Sequence, residues 1–333
     1  MKKISIEEIY LNELTGENDW NHLCRYYELS ENIIEEFQDE VNWALISTYQ
    51  KLSEPFIEKY EDKIYGIYIS KYQKLSELFI EKHQYDLDWN YIFRYQKLSE
   101  QFIEKYMYKA DDSNWYDICK YQKLSEPFME KYKKKLDWNV ISKCQKLSES
   151  FMKKYKYRIN WYSISKCQNL SETFIHKYKN RVDWIIISKH QKLSELFIKK
   201  HKRKVDWTLI SAYQELSELF IEEFADKVDW NCISKHQKLT ETFITKFKDK
   251  INWNCISIYQ KLSEQFIRNN VDKINWNNIS KYQKLSEEFI KSYEHFLNLG
   301  LIFQYQTHLP NSFRNQYKEY INEGRNIKLQ ISK

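Results

Sequence analysis

The chain has 333 residues, with 11 Trp, 27 Tyr and 18 Phe beside only 4 Gly and 3 Pro. At 42% hydrophobic and 30% charged residues it has the apolar content for a large core, which sets it apart from disordered sequences, and its formal charge of +6 is modest. Four glycines do not suffice for a phosphate-cradling loop, a nucleophile elbow or a series of primed hairpin turns, so the composition counts against most cofactor enzymes and all-β folds.

No apolar run approaches the ~18 residues of a transmembrane helix. The opening MKKISIEEIYLNEL carries acidic residues where a signal peptide needs a continuous apolar stretch. The expectation is a soluble, intracellular, cytoplasmic protein with no membrane partner. In chain order, Ile6, Ile9, Tyr10 and Leu14 read as the second half of an incomplete repeat, a cap over residues 1–19. The repeat array follows over 19–298. All 11 tryptophans fall on one phase: Trp20, Trp43, Trp89 and Trp115, then one every 23 residues to Trp276. Gly66 stands where a tryptophan is due between Trp43 and Trp89, and three extra residues between Trp89 and Trp115 place an insertion in Met107–Ser113. Twelve repeats result. A degenerate thirteenth spans 299–321, keeping Ile302, Tyr305 and Gln306 before slipping by one to align Phe313 and Tyr317; a polar tail covers 322–333.

The consensus D-W-x-x-I-S-x-Y-Q-K-L-S-E-x-F-I-x-K-Y-x-x-K-V predicts a helical hairpin. In the repeat at Trp138, Asp137 caps a helix running to about Gln145, with Trp138 and Ile141 three apart on one face. Lys146 and Leu147 make the turn. Ser148 caps a second helix, Glu149 favours the positive end of its dipole, and Phe151, Met152, Tyr155 and Ile159 recur at helical spacing. Leu147 and Met152 are spaced as a hydrophobic staple. Pro55 and Pro127 fall two residues after the capping Ser53 and Ser125, where a missing N–H costs nothing, and Pro310 takes the cap region of the last repeat. Such short helices are unstable alone, so the hairpins must stack. The predicted fold is all-α, an α-solenoid of about 12–13 hairpins in one continuous stack of order 100 Å, at ~8–10 Å per helix layer.

Catalytic, cofactor and metal sites are not expected. The cysteines fall into the repeat: Cys144 and Cys167 at a Tyr position, Cys232 and Cys255 two after Trp, Cys24 and Cys119 at the Ser position. None has CxxC spacing. His190 and His236 take the first-helix Tyr position and His83 and His201 the second-helix one, which reads as packing substitution. Gln recurs seven after the Trp position in every repeat but the first. Its amides either ladder an extended peptide or satisfy helix-end carbonyls within the fold; the second reading is preferred.

Charge varies most along the chain. Residues 1–130 carry 15 Lys+Arg and 26 Asp+Glu, residues 131–205 carry 21 and 5, and residues 206–333 carry 17 and 16. The spacing predicts that the cations of the middle block concentrate in its second helices: Lys133, Lys134 and Lys135; Lys154, Lys156 and Arg158; Lys177, Lys179 and Arg181; Lys200, Lys202, Arg203 and Lys204. Repetition of phase stacks them into a basic stripe, interleaved with Tyr155, Tyr157 and Tyr178. Three readings are compatible with it: lysines that complement helix C-termini and keep the array soluble, an acidic protein partner that includes the N-terminal third of another copy, or a phosphate backbone. Two irregularities, Tyr65–Gly66 and the insertion at Met107 and Tyr108, are candidate loops for a partner.

The string D/N-W-x-x-I-S-x-Y-Q-K-L-S-E-x-F-I, seen from Asp206 to Ile221, resembles short tandem repeats of giant DNA viruses of amoebae and of some phages, over roughly residues 6–320. That resemblance implies a viral protein acting in an infected cell, and the Lys, Ile, Asn and Tyr abundance of A+T-rich genomes is compatible with it. No set of enzymatic residues comes with the string. Hairpin logic is also similar to tetratricopeptide and HEAT-like solenoids, although the 23-residue period is shorter and their ligand residues have no counterparts here. The function expected is a non-enzymatic scaffold for protein–protein interaction, with a nucleic-acid-binding solenoid or a self-assembling rod as alternatives.

Overall fold

A computed structural model of the chain describes residues 19–317, together with Ile9 and the backbone of Lys2–Lys3. The predicted positions Ile6, Tyr10 and Leu14 and the tail from Asn322 lie outside the described residues. The fold is an all-α solenoid in which pairs of short helices recur about every 23 residues. A two-residue parallel pairing, Lys2–Lys3 with Tyr27–Glu28, is too short to change that class. By contacts the chain divides into two compact halves, Met1–Gln168 and Asn169–Lys333. Within each half, the first helix of one repeat packs on the first helix of the next. No helix among the described residues is long and apolar enough to cross a membrane.

The hairpin at Trp138 shows why this sequence folds so. Its helices are Trp138–Cys144 and Glu149–Lys154. Asp137 Oδ1 accepts from the Asn139 and Val140 amides, at 2.9 and 3.0 Å, and starts the first helix. Gln145 ends it by turning extended, and Ser148 Oγ accepts the Phe151 amide at 3.1 Å to start the second. Ile141, Phe151 and Met152 are buried, and the Trp138 ring lies 4.6 Å from Tyr155. Neither helix exceeds two turns, so packing rather than propensity holds them.

The consensus polar residues join one layer to the next. Gln145 Nε2 donates to the carbonyls of Cys119 and Gln122 at 2.8 and 2.7 Å, while its Oε1 accepts the Leu124 amide at 3.0 Å. One buried side chain thereby satisfies a helix end and the turn after it in the preceding repeat, as the sequence suggested. Ser142 Oγ donates to the Trp138 carbonyl and accepts the Asn160 amide of the following repeat at 2.9 Å. The second-helix glutamate does more than favour a dipole: Glu126 Oε1 accepts the Ser148 amide at 2.6 Å and its Oε2 accepts the Ser148 hydroxyl at 3.0 Å, clamping the next cap. Trp138 Nε1 donates to the Lys133 carbonyl of the preceding turn at 3.2 Å.

Both irregularities are built differently from the loops expected. A Cβ at Gly66 would stand 1.9 Å from the Asp86 carbonyl oxygen, so the missing side chain lets the end of its own repeat close over the helix start. Tyr65 is exposed, ends no helix and offers its helix no side-chain cap. The insertion is largely absorbed into helix. Helix Glu100–Tyr106 runs one residue longer than its counterparts, Met107–Lys109 forms a 3-10 turn, and the next helix begins early as Asp112–Tyr121. The cause is a capping box, in which Asp111 Oδ1 accepts the Asn114 amide at 2.9 Å and Asn114 Oδ1 accepts the Asp111 amide at 3.0 Å. Met107 is half-buried and Tyr108 is left exposed.

Candidate binding surfaces

Of the basic stripe only Lys154, Lys177 and Lys200 lie on the second helices. Those helices end at Lys131, Lys154, Lys177 and Lys200, so Lys133, Lys134, Lys135, Lys156, Arg158, Lys179, Arg181, Lys202, Arg203 and Lys204 lie in the turns that follow. Helix termination after six residues, where the chain swings back under the next Trp, puts them there. In the N-terminal half, Lys154 forms an ion pair with Glu130. Arg158 donates to the Lys133 carbonyl at 3.0 Å and its guanidinium lies 5.9 Å from the Trp138 ring. Lys63, Lys109, Lys250 and Lys273 cover Trp43, Trp89, Trp230 and Trp253 in the same way, so a cation twenty residues after Trp has a structural use. Lys133, Lys134 and Lys135 are exposed. Of the interleaving tyrosines, Tyr155 and Tyr178 are buried and only Tyr157 projects outward. In the C-terminal half, Lys202, Arg203 and Lys227 line a shallow cleft of about 570 Å³ at Trp207.

The second-helix face carries an ion-pair ladder. In the N-terminal half each layer's lysine meets a glutamate of the layer before, as in Lys82 with Glu58 at 2.8 Å and Lys131 with Glu104 at 2.9 Å. At Lys199 the polarity inverts, the lysine occupying the usual glutamate position and pairing with Glu223 at 2.6 Å. One position on this face makes at most local bonds, as Ser150 does to Ser148 and Thr242 to Thr240. It lies between the clamping glutamate and the buried phenylalanine and holds Pro55, Gln101, Pro127, Ser150 or Thr242 in different repeats; where it is leucine, at Leu78, Leu196 and Leu219, the side chain is 80–81% exposed.

A third surface lies at a position that the sequence alone assigns to packing. The Tyr six residues after Trp is exposed, because the Gln beside it points into the core. Tyr26, Tyr49, Tyr72, Tyr95 and Tyr121 form one row in the N-terminal half, with 43–55% of each side exposed. His190, His236, Cys144 and Cys167 at this position are therefore exposed too, not packing substitutions. The signal was present in the sequence: a residue adjacent to an obligatory buried Gln on a short helix must face elsewhere.

The second-helix histidines do pack. His83 Nε2 lies 3.3 Å from Glu58 Oε1, whereas buried His201 packs at a tilt against Phe197 and Trp184 with its Nε2 3.0 Å from His176 Nδ1. Burial, then the neighbouring His176 and lysines, holds the His201 pKa below its ordinary value. Buried Cys24 and Cys119 take the place of the serine relay, and burial raises the Cys119 thiol to about 11, which makes it a poor nucleophile. Compared with protein-family models, curated proteins and solved structures, the chain matches none.

Proposed function

We propose that this chain is a non-enzymatic repeat scaffold that binds protein partners on the exposed face of its second helices. The observation that carries the reading is a division of labour along the repeat. The recurring Gln, Ser, Glu and Trp are engaged in layer-to-layer bonds, while the second-helix position between the glutamate and the phenylalanine bonds at most within its own hairpin, changes from repeat to repeat, and at Leu196 and Leu219 exposes nearly whole apolar side chains in adjacent layers. Exposed apolar groups set in a charged rim are the usual mark of a contact surface. In this reading the protein acts in the cytoplasm of an infected cell, as the resemblance to viral tandem repeats implies.

The test is a pull-down from cells expressing the chain, with and without nuclease, comparing the native sequence with a Leu196→Glu/Leu219→Glu variant. The expected result is a nuclease-resistant set of proteins depleted at least about fivefold by the double substitution, the scale of a contact worth more than 1 kcal/mol. Identical sets from both chains, or loss of every partner on nuclease treatment, would sink the reading.

A further inference from the structure

We propose that the first-helix edge of the N-terminal half, from Arg25 to Lys123, is a binding track for single-stranded nucleic acid. Two features recur on it layer by layer. The first is the row of half-exposed rings, Tyr26, Tyr49, Tyr72, Tyr95 and Tyr121. The second is a cation beside the ring in four of these five layers, the layer of Tyr49 holding Thr48 instead. Lys71 Nζ lies 4.8 Å from the Tyr72 ring and 6.0 Å from that of Tyr95, and the Arg94 guanidinium lies 5.4 Å from the rings of both Tyr95 and Tyr121. Arg25 reaches Tyr49 at 5.7 Å, and Lys120 lies 4.9 Å from Tyr121. A further cation stands eight residues after the Trp position in four of the five layers, at Lys51, Lys74, Lys97 and Lys123, all exposed.

Over residues 1–130 acids outnumber cations by 26 to 15, yet this edge is basic. Glu28 begins the row, and half-buried Asp117 is close enough to Arg94 and Lys120 to interact with both. Among the described residues most of the other acids lie on the second helices and the turns around them, where Glu35, Glu58 and Glu81 are paired with lysines. A polyanion is therefore drawn to one edge and repelled from the opposite face.

Rings and cations in alternation are what a single strand uses, since unpaired bases stack on aromatic faces while phosphates meet the charges, without regard to sequence. The rings recur at about the ~8–10 Å separation of packed helices, so five layers give a track of order 40 Å. An extended acidic peptide finds less here. It binds an edge through backbone hydrogen bonds, and the carbonyls that end these helices are engaged: Ser70 and Gln73 accept from Gln96 Nε2 at 2.9 and 2.8 Å. The track stops at the next two layers of this half, where the ring position holds Cys144 and Cys167.

The experiment is fluorescence anisotropy with the full chain and labelled ~30-mers of dT and of U in about 50 mM salt, with a duplex of equal length and polyglutamate as competitors. Micromolar binding is expected, weakening linearly on a log–log salt plot. The triple variant Tyr72→Ala/Tyr95→Ala/Tyr121→Ala should bind dT at least about 30-fold more weakly, as loss of several stacked bases requires. Arg94→Gln/Lys120→Gln should flatten the salt slope by roughly 1.4, about 0.7 for each lost phosphate contact on a single strand. Lys133→Gln/Lys134→Gln/Lys135→Gln, a basic turn of the same half but off the edge, should leave affinity within about threefold. The substituted side chains are exposed, and unchanged melting temperatures confirm the fold. The proposal is overturned by absence of binding at this salt, by dT binding indifferent to the tyrosines, by duplex binding more tightly than the single strand, or by polyglutamate displacing dT at equal charge, which assigns the edge to an acidic protein.

Discussion

The first-helix edges of the two halves are built on one backbone and differ in what they show to solvent. In the N-terminal half the edge from Lys71 to Lys123 keeps a cation and a tyrosine in every layer. In the C-terminal half the cation position holds Ala212 and Ile258 beside Lys189, Lys235 and Lys281, the ring position holds His190 and His236, and Glu215 interrupts the second row of cations. Lys189 still reaches Tyr213 at 5.0 Å and Lys235 reaches Tyr259 at 5.5 Å, so the geometry survives where the residues do. Beneath both edges the glutamine and serine bonds are the same. The buried bonds that join the layers are thus common to both halves, and the edge is left to diverge.

That division can be broken from the inside. Gln237 bonds the Leu216 amide and the Ser211 and Gln214 carbonyls at 3.1, 2.8 and 2.8 Å. Gln237→Leu would leave these three buried groups unsatisfied and should cost about 3–5 kcal/mol at ~1–3 kcal/mol each, partly offset by added apolar burial. The neighbouring exposed Lys238→Ala should stay within ~0.5 kcal/mol. Urea unfolding checks both, and equal effects would mean that the buried amides are not what joins the layers.

The next effect belongs to the N-terminal half. Gly66→Ala adds a better helix former, worth ~1 kcal/mol in an open site. Here its Cβ meets the Asp86 carbonyl, and backbone must move. The net change should be a loss of about 1–3 kcal/mol; a gain in thermal unfolding would show that the close approach is not real. The consensus is therefore no guide at this layer.

A pH response distinguishes the halves at one equivalent position. His83 has an acidic neighbour in Glu58, whereas His201 has His176 and lysines. Because the folded chain holds the His201 pKa below its ordinary 6.5, the unfolded chain takes up the proton first. The stabilisation is complete above that unfolded value and is lost as the pH falls through the lower folded one. Between pH ~7.5 and ~5.5 the urea midpoint of the native chain should fall further than that of His201→Phe, which supplies the ring found at Phe224 and Phe247. Parallel curves would remove His201 as the cause.

The smallest effect concerns the ladders. Lys82 and Glu58 are substantially exposed, as are Lys199 and Glu223. Charge exchange within either pair should leave the urea midpoint nearly unchanged, and more nearly so in salt. A larger shift in one half would show that its ladder, not only its buried bonds, sets the order of layers.

Helix type, period and caps were readable because they depend on local chemistry. Asp137, Ser148 and Pro127 each act within a turn of their own position, and the 23-residue spacing forces repeated hairpins to share a core. The role of Gln145 was also legible, since a buried amide must find partners somewhere. The charge blocks were less informative. A count along the chain puts the basic block in residues 131–205 and makes the N-terminal third acidic, whereas folding sorts the described residues of that third into a basic, tyrosine-lined first-helix edge and an acid-bearing second-helix face. Linear charge averages over faces, and faces are made only when the helices pack.

The sequence by itself determined an all-α repeat, its layer count and the residues that hold layers together, because every layer repeats the same local and nearest-neighbour bonds. Tertiary structure decided which tyrosines face solvent, which cations cover tryptophans, why Gly66 tolerates no Cβ and how three inserted residues became helix. Each of these depends on atoms brought together across layers, some twenty residues apart in the chain, and no spacing along one strand of sequence specifies their direction.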